Sequence, residues 1–265
     1  MAAAADSRVV GSTGGVGLGD GVQPVRLLEA NYHPAEGAAD AAIRDVCSAE
    51  LSYTPEQLYS FMKMVVDHAD DKIKLPRAVT AALTYDEVLV IAWYTSDVRR
   101  SLGLSMEANG WWCMNDRMRR RDVDGLRRFL PLIYFLHRAL EQLHTIDAAA
   151  AAEQEQILWR GLSVRLSTLS KHYAPQELVC WPAFTSVTRD QETMTSFLGA
   201  GGGGSTLRLI LHKAADVSAL SMTKGESELM LLPNTVFRIV NTVGSEDLSG
   251  FPGVTGLPPN TDLVI

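Results

Sequence analysis

Two glutamates separated by one residue, Glu226 and Glu228, stand at the start of an apolar segment that ends at Pro233. In a β-strand, residues i and i+2 point to the same face, so both carboxylates would lie on one side. Two carboxylates that share a site can divide acid, base and electrostatic roles between them. The simplest structural interpretation is a solvated strand end. A chemical role for the pair therefore depends on what the rest of the chain places around it.

The composition is typical of a soluble globular protein. The chain has 265 residues, of which 46% are hydrophobic and 21% charged, so it can build one large core. Its formal net charge of -7 argues against nucleic acid as a partner, because phosphate binding favours a basic face. The chain has three cysteines, which are widely spaced and include no C-x-x-C pair. This pattern argues against a zinc ribbon or a disulfide framework.

The N-terminal residues do not have the pattern of a signal peptide. Residues 1–25 are rich in alanine and glycine, lack a signal-peptide pattern, and are predicted to be a disordered leader. No apolar run approaches the roughly 20 residues of a membrane helix. We expect a cytoplasmic protein, or one exported without a classical signal peptide, that is a monomer with a single domain over residues 26–265.

Residues 26–152 show helical spacing of apolar side chains. Thr54 and Thr84 each begin a capping box, with Gln or Glu three residues later. Pro131 lies inside a long amphipathic stripe and predicts either a kink or a helix start. The alanine-rich segment 148–152 would continue this helix, and the basic run 115–121 is most simply a solvated helix face.

Residues 153–265 have a different texture, with short apolar runs divided by Gly, Pro, Ser and Asn. These runs predict strands at Ile157–Leu162, Val179–Val187, Leu207–His212, Val217–Leu220, Leu229–Leu232, Val236–Val243 and Leu263–Ile265. Helices followed by strands indicate an α+β fold with segregated layers.

Two further motifs in this half could take part in a binding site. Arg160 lies inside an apolar strand, where a buried arginine normally needs an anionic partner, and Gly161 beside it allows a ligand close to the backbone. Ser186 and Thr188 share one strand face and could hold a sugar or a carboxylate. The structural alternatives are an edge arginine paired with a carboxylate, and hydroxyls paired across strands.

In this order, the motifs resemble the R-S-E class of arginine-specific mono-ADP-ribosyltransferases. The arginine motif is Trp159-Arg160-Gly161, the serine motif is Phe184-Thr185-Ser186-Val187-Thr188, and the glutamate motif is Glu226-Ser227-Glu228 ahead of an apolar strand. The resemblance extends from about Tyr94 to Ile265, with weaker matches at Tyr94-Thr95 and Asn115-x-x-Met118-Arg119. The family more often has Thr-Ser where this chain has Val187-Thr188. The resemblance implies a helical N-terminal part followed by a core of two packed, mainly antiparallel sheets.

The same resemblance implies an activity. The family cleaves NAD between nicotinamide and ribose and passes ADP-ribose to a protein arginine, without a metal. Glu228 would stabilise the oxocarbenium-like transition state and hold the ribose 2′-hydroxyl. Glu226 would orient and help to deprotonate the acceptor guanidinium, which is otherwise protonated and a poor nucleophile. The partners would be NAD and a protein acceptor.

The remaining roles follow from the resemblance as well. Arg160 would bind the NAD phosphate, and the Gly161 backbone would bind the nicotinamide amide. Ser186 would hydrogen-bond Glu228 or the ribose, Thr188 would support that network, and Phe197 would stack on nicotinamide. The segment 219–225 would contact the target protein. Two alternatives stay open: an NAD glycohydrolase with the same site, and a catalytically silent module that binds NAD or a protein.

Overall fold

The computed structural model describes residues 16–17, 32–75, 83–150, 156–168, 173–195, 198, 204–211, 214–223, 227–248, 257 and 261–265. The chain divides into two compact units. The first unit contains Met1–Pro24, Glu153–Lys213 and Pro233–Ile265, and the second contains Val25–Ala152 and Ala214–Leu232. The predicted change of texture after residue 152 coincides with a boundary between the units, but the segment Ala214–Leu232 belongs with the helices.

The second unit is mainly helical. Its helices are α1 (Ala38–Ala49), α2 (Pro55–Lys72), α3 (Tyr85–Thr95), α4 (Val98–Leu102), α5 (Gly110–Arg120) and α6 (Leu130–Ala150). None of the helices in the described part of the chain is long and apolar enough to cross a membrane.

Both predicted capping boxes are present. At the start of α2, the Thr54 hydroxyl accepts from the Gln57 N–H, and the Gln57 side chain accepts from the Thr54 N–H. Thr84 and Glu87 make the same reciprocal pair at the start of α3. These bonds satisfy N–H groups that the first turn of a helix leaves without partners. Pro131 is the second residue of α6, so it marks a helix start and not a kink.

Helix α3 is the centre of this unit. Every residue from Asp86 to Thr95 is buried, and α3 contacts α1, α2 and α6. A helix that is apolar on all sides is stable only when other elements surround it. Its C-terminal end at Thr95 is therefore a fixed point from which a side chain can position a neighbouring loop.

The first unit contains two sheets. In one, the strand order is β4 (Thr185–Thr188), β2 (Gln156–Leu162), β5 (Ser205–Leu211), β10 (Asp262–Val264) and β9 (Thr242–Val243). All of these neighbours are antiparallel except β10 and β5, which are parallel. The other sheet is antiparallel, with order β1 (Val16–Gly17), β3 (Leu178–Trp181) and β8 (Thr235–Arg238). The predicted fold class, helices followed by mainly antiparallel sheets, is confirmed.

Side chains of this unit form a buried cluster around Trp159 of β2. Trp159 packs with Met194, Leu198 and Leu263 in a buried cluster, on the side of the short helix α7 (Gln191–Thr195). A cavity of about 250 Å³ is lined by residues of both sheets, among them Trp181 of β3. β1 lies within the segment predicted as a disordered leader, most of which is outside the described residues.

The second unit also contains a short hairpin. Strands β6 (Ala215–Asp216) and β7 (Glu228–Leu231) pair antiparallel, with Ala215 opposite Met230. The strand predicted at Val217–Leu220 is wrong, because these residues form a turn after β6. The N–H groups of Leu220 and Ser221 both donate to the carbonyl of Val217, which curls the chain away from an extended path.

Candidate active site

Arg160 and Ser186 meet in the first unit. Arg160 lies in the middle of β2, opposite Leu207 of β5. Its Nη1 donates a hydrogen bond of 2.7 Å to the carbonyl oxygen of Ser186, and its guanidinium carbon lies 5.6 Å from the centre of the Trp181 ring. A charged hydrogen bond and a cation–π contact thus hold this half-buried guanidinium in place. Gly161 follows it on β2 and is buried opposite Thr206.

Thr188 fixes the turn that follows β4. Its hydroxyl accepts a hydrogen bond of 3.0 Å from the N–H of Asp190. The Asp190 carboxylate then accepts from the N–H groups of Glu192 and Thr193 at the start of α7. The hydroxyl of Thr193 also donates to this carboxylate, and these hydrogen bonds hold the pKa of Asp190 below its usual value. This contact of Thr188 differs from the predicted one, and its role beside Ser186 stays a prediction.

Glu228 lies in the second unit, as the first residue of β7. Its side chain is buried, with a relative exposure of 4% for the residue. One carboxylate oxygen, Oε2, accepts a hydrogen bond of 3.2 Å from the hydroxyl of Ser221. The backbone carbonyl of Glu228 accepts from the Val217 N–H and the Ser218 hydroxyl. Backbone and carboxylate are therefore both anchored on the turn between β6 and β7.

The turn itself is fixed to the helices of the same unit. The Thr95 hydroxyl accepts a hydrogen bond of 2.9 Å from the Met222 N–H, and the Thr95 carbonyl accepts one from the Thr223 hydroxyl. Nε2 of His68, on α2, lies 2.9 Å from the carbonyl oxygen of Leu220. The described part of the predicted target-contacting segment 219–225 is thus anchored at each of residues 220 to 223.

The weaker helical matches also make a contact. Asn115 of α5 donates a hydrogen bond of 2.7 Å from Nδ2 to the hydroxyl of Tyr94 on α3. One turn later on α5, burial lowers the pKa of Arg119. The basic run is therefore only in part a solvated face: Arg120 is exposed, whereas Asn115 is buried and Arg119 is partly buried.

Two predicted site residues, Glu226 and Phe197, lie outside the described residues. Sequence reasoning placed Thr95 only in a weak helical match and Ser221 only in the target-contacting segment. It missed the contact of Ser221 with the Glu228 carboxylate and the contact of Thr95 with the turn. The further sequence signals are a hydroxyl seven residues before Glu228 and another at the end of an apolar helix. Within the described residues, no group of three or more His, Cys, Asp or Glu side chains could hold a metal ion.

Comparison with solved structures shows which fold this arrangement belongs to. The ADP-ribosyltransferase HopU1 of Pseudomonas syringae pv. tomato superposes with a TM-score of 0.57 and 18% identity, over 88% of this chain and 98% of that chain. The eukaryotic mono-ADP-ribosyltransferase ART2.2 superposes with a TM-score of 0.52 and 14% identity, over 86% of each chain. The type III effector XopAI of Xanthomonas axonopodis pv. citri superposes with a TM-score of 0.54 and 11% identity, over 88% of this chain and 85% of that chain.

The chain has the ADP-ribosyltransferase fold. No protein-family model matches it, and a search of curated proteins finds no match. At identities of 11% to 18% the likeness concerns the fold alone. Within the ADP-ribosyltransferase fold, function must be argued from the site residues of this chain.

Proposed function

We propose that this protein is a mono-ADP-ribosyltransferase, which cleaves NAD at the nicotinamide–ribose bond and transfers ADP-ribose to an arginine of a target protein. The observation that carries the proposal is the buried Glu228 carboxylate, oriented by the Ser221 hydroxyl in a chain with the ADP-ribosyltransferase fold. One of the similar structures, a variant of ART2.2, is a complex with NAD, which supports NAD as the substrate class.

The chemistry requires a negative group beside the reacting ribose. When the bond to nicotinamide breaks, its electron pair leaves with nicotinamide and positive charge develops on the ribose, as in glycoside hydrolysis. A carboxylate with a fixed orientation stabilises that charge without having to reorganise at the moment of reaction. Glu228 has the burial and the hydrogen bond for this role.

The acceptor step requires a second group. An arginine nitrogen forms the new bond to ribose, and the guanidinium must lose a proton. We assign this task to Glu226 on the resemblance of its motif. Arg160 is assigned to the NAD phosphate, because a guanidinium fork donates two parallel hydrogen bonds to phosphate oxygens. Gly161, Ser186, Thr188 and Phe197 keep the NAD-binding roles that the resemblance implies.

The test is NAD-dependent labelling of protein arginine, with release of nicotinamide measured in parallel. Glu228→Gln keeps the size of the side chain and an oxygen for the Ser221 hydroxyl, but removes the charge. We expect kcat for nicotinamide release to fall by about 100-fold to 1000-fold, as for loss of one preorganised electrostatic group, with a much smaller change in the KM for NAD.

The matched control is Glu177→Gln, the same change at an exposed glutamate of the first unit. It should leave both activities at the wild-type level. If Glu228→Gln retains wild-type labelling, the assignment of the catalytic carboxylate fails. Labelled residues mapped by mass spectrometry to a side chain other than arginine would refute the acceptor class alone.

A further inference from the structure

The hydroxyl of Ser221 has a defined orientation. Its oxygen accepts a hydrogen bond of 3.1 Å from the N–H of Thr223, and it lies 3.2 Å from Oε2 of Glu228. A backbone N–H can only donate, so the Ser221 oxygen is the acceptor from Thr223. The Ser221 hydroxyl donates its own hydrogen to Glu228, and the direction of this bond depends on where the turn of residues 221–223 lies.

The turn has little packing on one side. A cavity of about 480 Å³ in the second unit is lined by Thr95, Met222 and Thr223, together with side chains of α2 and α4. Side chains at the edge of a cavity lack contacts that would otherwise fix their position. The hydrogen bonds of the turn must therefore supply much of its positional order.

Thr95 is the residue that supplies two of these bonds. It is fully buried at the end of α3, and its hydroxyl donates to the carbonyl of Ile91 at 2.9 Å, which leaves its oxygen to accept from the Met222 N–H. The chain also continues directly into α4, whose start is capped by the Asp97 carboxylate, on a side chain that is only 5% exposed. Although burial alone would raise it, hydrogen bonds from Arg99 lower the pKa of Asp97, so this cap stays ionised at neutral pH.

We propose that Thr95 is a positioning residue for catalysis, which acts through the turn of residues 221–223 and the Ser221 hydroxyl on the carboxylate of Glu228. This inference rests on the proposed function, because it assigns Glu228 to the transition state. It adds a connection from the buried helix α3 to the reacting group. Thr95 touches neither substrate nor the reacting atoms in this scheme.

The experiment compares four variants by the kcat and KM of nicotinamide release from NAD. Thr95→Val removes the hydroxyl but keeps the branched shape, and Thr95→Ser keeps the hydroxyl. Ser221→Ala removes the hydrogen bond to the Glu228 carboxylate. We expect kcat to fall about 10-fold in Thr95→Val and in Ser221→Ala, with KM for NAD within about twofold of wild type. Thr95→Ser should restore most of the rate.

The fourth variant is the double change Thr95→Val with Ser221→Ala. If Thr95 acts through Ser221, the double variant should be about as slow as either single variant, because the two changes break one chain of contacts. A loss of kcat near the product of the two single-variant losses, about 100-fold, would show that Thr95 acts by another route and would overturn the inference.

The matched control is Ser96→Ala at the same helix end, because the Ser96 hydroxyl bonds to the Trp93 carbonyl of its own helix and not to the turn. It should leave kcat unchanged. Hydrogen exchange gives a second readout: the Met222 amide should exchange faster in Thr95→Val and at the wild-type rate in Ser96→Ala.

The outcomes separate the two proposals. No nicotinamide release from the wild-type protein refutes the proposed function, and with it the catalytic part of this inference. An active wild type with Thr95→Val at the same kcat, or with a loss that Thr95→Ser does not rescue, refutes the inference and leaves the proposed function standing.

Discussion

Replacement of Arg160 by lysine tests whether this arginine serves the structure alone or also binds a phosphate. The change keeps the positive charge but removes the planar fork, which in the folded protein donates to the Ser186 carbonyl and lies over Trp181. Lysine presents a single ammonium group, so it cannot keep both contacts and also donate two parallel hydrogen bonds to a phosphate.

The two contacts set the size of the stability effect. A hydrogen bond to a charged group contributes about 1.5–3 kcal/mol, and a cation–π contact about 0.5–1 kcal/mol at an exposed site. Lysine recovers part of both, because its charge remains. We therefore expect Arg160→Lys to lower the free energy of unfolding by ~1–2 kcal/mol, which leaves the protein folded at 25 °C.

The effect on NAD should be larger if the arginine binds phosphate. Loss of one bidentate pair corresponds to a rise of about 10-fold to 100-fold in the KM for NAD, since each 1.36 kcal/mol is tenfold. The assay is nicotinamide release against NAD concentration, with urea unfolding of the same samples. Arg189→Lys, at an exposed arginine that contacts Gln156 in the same unit, is the matched control. A KM that stays at the wild-type value while stability falls would refute phosphate binding and leave Arg160 a structural residue.

The remaining predictions concern the acceptor, the core and pH. Glu226→Gln should abolish transfer to arginine while NAD hydrolysis continues, as labelling and nicotinamide release would show; an equal loss of both would contradict an acceptor-side role. Gly110→Ala should destabilise the protein by about 1–3 kcal/mol in urea unfolding, because a Cβ there would overlap the Trp93 ring. Burial raises the pKa of Cys47 to about 12 and that of Tyr53 as well, so the folded state retains protons that the unfolded state loses. Stability should therefore fall as pH rises above about 9, and Cys47→Ala should reduce that slope.

Local signals account for the parts of the fold that the sequence predicts well. Both capping boxes consist of residues three apart, so the geometry that Thr54 and Thr84 adopt is decided within one helical turn. The strands β2 and β5 are also predicted to within one or two residues, because their apolar runs are continuous and bounded by turn residues.

Long-range contacts account for the parts that it does not. The segment Val217–Leu220 has the apolar composition of a strand, yet it turns because Glu228 and His68 hold it from distant positions in the chain. The contact between Thr95 and Met222 joins residues 127 positions apart, and no pattern along the sequence reports it. Sequence motifs therefore predict which carboxylate reacts, while the groups that contact that carboxylate are found only in the structure.

The burial of Glu228 argues against a solvated strand end, which was the simplest interpretation of the paired glutamates. A carboxylate removed from water loses hydration, and hydrogen bonds such as the one from Ser221 offset that loss. The buried neighbours Leu229 and Met230 are apolar and need no such bond. A carboxylate held in a fixed orientation is useful to a reaction whose transition state is positive. That is the requirement of NAD cleavage, and it is the physical reason why we propose Glu228 as the catalytic carboxylate.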